Sequence, residues 1–146
     1  IPSKQTMLLK FFFELPVVGT FTYHIFANRY MIRKSFEEEY FCQPGEIKEK
    51  YIYNYLEAAH VGRYNAKFAF ASYLGKYMNM NILHELKEID NSILMIGGEK
   101  EKEIQTTIEN YKYYNPAIED VYIPQTKHFP HLESPDEVLR EIEMFL

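Results

Sequence analysis

"SILMIGG", residues Ser92 to Gly98, decides how the rest of the chain reads. Ile93 to Ile96 are four apolar residues in a row, bounded by Gly97 and Gly98. So short an apolar run closed by glycines predicts a buried strand. Downstream, "KEIQTTIENYKYY" sets Ile104, Ile108 and Tyr111 on one face and stops at Asn115-Pro116, as a helix does. "VYI" (Val121 to Ile123), stopped by Pro124, reads as a second short strand. A last helix is predicted from about Pro135, with Ser134 as N-cap, Glu137 completing a capping box, and Val138, Ile142, Phe145 and Leu146 on one face. Strand, helix, strand, helix implies parallel strands with a right-handed crossover.

Upstream the pattern is helical. "MLLKFFFEL" predicts a short helix ending at Pro16. "VGTFTYHIFANRYMIRKSF" predicts one longer helix with Tyr23, Phe26 and Tyr30 along a core-facing stripe. Gln43 to Glu46 form a turn, and "EIKEKYIYNYLEAAH" and "RYNAKFAFASYLGKYMN" predict two further helices parted near Gly62. Asn81 can cap a short one, "ILHELKEI". Two strands do not make a stable parallel sheet by themselves, so the remainder of the sheet is expected outside this sequence. "SILMI" should then carry partners on both edges, through self-association or through polypeptide missing here.

The chain has 146 residues, enough for one domain burying roughly 70% of its unfolded surface. Its net charge of −5 argues against nucleic acid as a partner. A single cysteine, Cys42, forms no internal disulfide, which suits a reducing, cytoplasmic compartment. The apolar "MLLKFFFELPVVGTF" is interrupted by Lys10, Glu14 and Pro16 and is too short to span a bilayer, so no membrane is expected. The sequence begins Ile-Pro-Ser-Lys without a methionine, as a processed product, an engineered expression product or a piece of a longer protein would.

Functional groups in open α/β sheets lie beyond the carboxyl ends of the strands. Two loops qualify. "GGEKEKE" offers Glu99, Glu101 and Glu103; "PQTKHFPHLES" offers His128 and His131. A carboxylate beside an imidazole fixes its tautomer and stabilises its charged form, which a general base needs. Any of the three glutamates could serve. A zinc site from His128, His131 and a carboxylate lacks a third ligand at suitable spacing, so no metal and no cofactor is expected.

"GEKE" (Gly98 to Glu101), "KHFPHLESP" (Lys127 to Pro135) and the terminal "EMFL" together resemble the C-terminal part of the α/β-hydrolase family. The resemblance covers Asn91 to Leu146 and is loose before that. It implies that His128 is the catalytic histidine and that Glu101 holds the acid position. Glutamate stands at 101 where aspartate is usual, leaving Glu99 and Glu103 as competitors; lysine stands at 127 where glycine is usual. His131 with Glu133 reads as structural, and His24, His60 and His84 have no assigned role. The family's Gly-x-Ser-x-Gly nucleophile elbow is absent. Ser72 in "FASYLG" and Cys42 in "FCQPG" are weak substitutes, so the nucleophile is expected outside this sequence.

The expectation is therefore an α/β fold: a helical cap followed by the last two parallel strand–helix units of an α/β-hydrolase sheet. Residues 1–62 would form the cap region and residues 63–146 the C-terminal part of the core. The parent protein would hydrolyse an ester, thioester or similar acyl bond of an apolar or aromatic small molecule. The alternative is a non-catalytic binding or interaction protein retaining that fold.

Overall fold

The computed structural model describes residues 2–146. The chain divides into two compact units. The first is the chain up to Lys34 with Lys48–Asn81; the second is Ser35–Ile47 with Ile82–Leu146. Residues 63–81 thus join the first unit and 35–47 the second, whereas the sequence drew one line at residue 62.

The first unit is helical. α1 (Lys4–Glu14) starts at a capping box in which Ser3 Oγ accepts from Thr6 N–H and Thr6 Oγ1 accepts from Ser3 N–H. Pro16 separates it from α2 (Val18–Phe26). The single helix expected over 18–36 is broken at Ala27 (φ −88, ψ 47), after which Asn28 Oδ1 accepts from Met31 N–H at 3.0 Å and α3 (Arg29–Ser35) begins. The break changes the helical phase for Tyr30, which lies beyond it, whereas Phe26 is the last residue of α2. Tyr23 is buried as predicted, but Phe26 and Tyr30 turn outward, Tyr30 being 70% exposed. α4 (Glu49–His60) and α5 (Ala66–Leu74) complete the unit. Phe13, Tyr23, Ala27 and Ala71 form its core, with Phe13 and Phe70 edge to face at 5.2 Å. Buried Lys67 donates through Nζ to Leu15 O at 2.7 Å and Thr20 Oγ1 at 3.0 Å, which places its charge at the C-terminal end of α1.

The second unit holds the only sheet found among the described residues. After α6 (Leu83–Glu88), β1 (Ile93–Gly98) pairs parallel with β2 (Ile118–Ile123), Ile93 opposite Ile118 and Gly98 opposite Ile123. α7 (Lys102–Tyr114) joins them. α8 (Pro130–Glu133) and α9 (Pro135–Phe145) follow. Gly97 permits close packing of α7: a β-carbon there would meet Ile104 and Ile108 side chains at 3.2 Å. Asn115, 4% exposed, ties the turns together, donating to Leu86 O and Ile89 O and accepting from Ala117 N–H. Segment 36–41 adds an aromatic cluster, with Phe36 stacked on Phe41 at 5.3 Å and tilted against Phe129 at 5.7 Å.

The expected architecture is overturned. The chain is 64% helical with a minimal two-stranded sheet, not an α/β-hydrolase cap followed by the closing units of a sheet. The reason lies in what the strands bury. β1 is not covered on both faces, since Ile93 to Ile96 are only half-buried. Helices supply most of the packing instead. The capping box expected at Ser134 does not form either; Ser134 (φ −135, ψ 66) makes no side-chain cap hydrogen bond, and α9 starts from Pro135. No helix among the described residues is long and apolar enough to cross a membrane.

Candidate functional site

Parallel pairing in this register ends both strands at the same level, so the loops after Gly98 and Ile123 run side by side. Backbone bonds zip them together: Glu99 N–H to Ile123 O at 3.0 Å, then Lys100 N–H to Thr126 O at 2.9 Å. Gln125 takes a left-handed conformation (φ 56), and its N–H donates to Glu99 Oε2 at 3.2 Å. Thr126 is fully buried and donates through Oγ1 to Ile123 O. The next residues, Lys127 and His128, emerge beside the start of α7.

This arrangement separates the three candidate glutamates. Glu99 is engaged with the Gln125 amide and with Lys100, and the amide first, then the lysine, hold its carboxyl below the usual glutamate range. Glu103 is exposed on the first turn of α7. Glu101, at the N-cap position of α7, points its carboxylate at the imidazole: His128 Nδ1 lies 3.8 Å from Glu101 Oε2. That is an ion-pair separation, longer than a hydrogen bond. Side chains of Glu101 and His128 are 21% and 42% exposed, so the imidazole is open to solvent.

An open cleft of about 470 Å³ surrounds the pair, lined by Glu39, Tyr40, Lys100, Glu101, Glu103, Ile104, Lys127 and His128. No serine, threonine or cysteine is among these lining residues. Tyr40 forms one wall. Its ring lies 5.2 Å from the imidazole, tilted by 37°, and its carbonyl accepts from His128 N–H at 3.1 Å. Sequence reading missed Tyr40 altogether. It belongs to a five-residue π-helical turn, Phe36–Tyr40, far from the histidine in sequence, and nothing in "FEEEYF" marks it as a neighbour.

The other candidates are placed differently. His131 is exposed on α8, its ring edge-on to Phe129 at 5.9 Å. Glu133 directs its carboxylate to backbone amides of Lys127 and Cys42. Cys42 is half-buried with a free thiol. Ser72 lies within α5 of the first unit, while His128 belongs to the second. His24 and His60 stack on each other at 5.5 Å, and His84 Nδ1 lies 3.3 Å from Glu88. No group of three histidine, cysteine or acidic side chains among the described residues could hold a metal ion.

No known protein family, curated protein or solved structure matches the chain.

Proposed function

We propose that the second unit carries the histidine–carboxylate half of an acyl-bond hydrolysis site. His128 acts as general base and acid, and Glu101 orients it and stabilises its charged form. The observation that carries this reading is the placement of His128 Nδ1 3.8 Å from Glu101 Oε2 in an open cleft. Tightening to hydrogen-bond distance requires a side-chain rotation, a usual change on forming a Michaelis complex. The resemblance of "GEKE" and "KHFPHLESP" to α/β-hydrolase motifs supports the same roles, with an ester, thioester or related acyl compound as substrate. Apolar Ile104 and the Tyr40 ring favour an apolar or aromatic acyl group. No serine, threonine or cysteine lines the cleft, so this reading assigns the described residues the base and its acid and no nucleophile. The lone free cysteine suits a reducing, cytoplasmic setting.

One observation favours a second reading. A cleft without a nucleophile is what a non-catalytic binding module would present. The experiment that separates the two uses protein expressed from the complete coding sequence and a series of p-nitrophenyl acyl esters. Turnover that falls about 10²- to 10⁴-fold in His128→Ala supports the hydrolase. Absence of turnover, or turnover indifferent to His128, leaves the binding module. The 146-residue chain by itself should show no esterase turnover.

A further inference from the structure

Glu133 bridges two backbone amides that the sequence keeps far apart. Its Oε1 accepts from Lys127 N–H at 2.7 Å and its Oε2 from Cys42 N–H at 2.6 Å. The Lys127 amide immediately precedes His128. Cys42 follows closely on Tyr40, which receives the His128 N–H on its carbonyl and lies against the imidazole with its ring. A second tie runs between the same segments, from Lys127 Nζ to Glu38 O at 3.2 Å. The imidazole is therefore held where two stretches of chain meet, and one carboxylate spans them.

The chemistry of that bridge is specific. An ionised carboxylate has two acceptor oxygens and no donor, so it can take both N–H groups in charge-assisted bonds. Glutamine has one acceptor oxygen, and its NH₂ would face the other amide donor. Alanine leaves two part-buried N–H groups with no acceptor, which is costly.

We propose that Glu133 is a positioning residue for His128: its carboxylate locks the loop after β2 to segment 36–42 and thereby sets the imidazole against Tyr40 and Glu101. Its consequence for turnover rests on the acyl-hydrolysis reading; the locking itself does not.

Two measurements test it. In the native protein the amides of Lys127 and Cys42 should both be protected from hydrogen exchange, and Glu133→Ala should release the two together, because both bond to one carboxylate. Fast exchange at either amide in the native protein would overturn the bridge. In Glu133→Ala the nuclear Overhauser contact between the His128 and Tyr40 rings should vanish. Carbethoxylation of His128 by diethyl pyrocarbonate should quicken several-fold relative to His84 in the same sample. Glu133→Gln, with one acceptor left, should fall between. Amide signals of Ile118 and Ile123, paired in the sheet, report that the second unit is still folded. An unchanged His128–Tyr40 contact in both variants overturns the proposal. In protein from the complete coding sequence, Glu133→Ala should lower kcat at least tenfold with KM for the ester little altered. If turnover survives His128→Ala while the ring contact is still lost in Glu133→Ala, the hydrolysis reading fails and the positioning role stands.

Discussion

A β-carbon on Gly98 would collide with the carbonyl group of Lys127, its distance to the Lys127 carbonyl carbon being 2.7 Å. Thr126 O would stand at the same 2.7 Å. Backbone atoms cannot yield as the tip of a side chain can, so glycine at 98 is what allows the His128 loop to cross the end of β1. Gly98→Ala should cost roughly 2–4 kcal/mol and displace His128 from Glu101. Gly97→Ala meets only side-chain atoms of Ile104, Ile108 and Tyr122 at 3.2–3.3 Å and should cost about 1 kcal/mol. Urea unfolding of the two variants side by side checks the order; equal losses would mean that the loop gives way more easily than its backbone bonds imply.

The three glutamates of the first loop should separate by function. If the hydrolysis proposal holds, Glu101→Gln should cut kcat/KM about 10²-fold or more, because the imidazole loses its charge partner. Glu103→Gln should change it less than threefold. Glu99→Ala should leave turnover within a few-fold but free the Gln125 amide, visible as faster hydrogen exchange at that residue. A larger loss in Glu103→Gln than in Glu101→Gln would reassign the acid.

Acid should loosen the second unit. The carboxyls of Glu99 and Asp120 are held below their ordinary values of 4.5 and 3.8, Glu99 chiefly by the Gln125 amide and Asp120 chiefly by Lys112. A carboxyl depressed in the folded state stabilises it fully above its unfolded value and loses that contribution as pH falls through the folded one. Stability should therefore be flat with pH above about 5 as far as these two groups are concerned, and should decline below about 4. Combining Glu99→Gln with Asp120→Asn should flatten that acid limb. Thermal melts from pH 3 to 7 give the comparison, and an identical limb in the double variant would remove these carboxyls as its cause.

Asn115 should matter more than its size suggests. Its side chain satisfies two carbonyls and one amide while 4% exposed. Asn115→Ala orphans all three and should destabilise the second unit by roughly 2–4 kcal/mol. The His24 and His60 signals of the first unit should persist to higher denaturant than those of His128. Simultaneous loss of all three signals would show that the two units unfold as one.

Much of the local structure could be read from residue order. Ile93–Ile96 closed by Gly97-Gly98, and Val121–Ile123 closed by Pro124, mark strands because no helix fits so short an apolar run between breakers. The periodicity of Ile104, Ile108 and Tyr111 marks α7, and the two strand-end loops place acids opposite histidines. The extrapolation from those strands to a larger hydrolase sheet did not survive. Strand pattern reports local backbone preference, whereas the number of strands and what covers them depend on distant partners. Ala27–Asn28 broke a helix whose periodicity looked continuous, because an Asn side chain capping Met31 competes locally with the helix ladder. At the site, Glu99, Glu101 and Glu103 are chemically equivalent in sequence. Only the tertiary structure distinguished them, by turning the Gln125 amide onto Glu99 and leaving Glu101 to face His128. Tyr40 and the Glu133 bridge were likewise decided in three dimensions, since both depend on segment 36–42 folding back onto the His128 loop, a long-range closure that residue spacing does not encode.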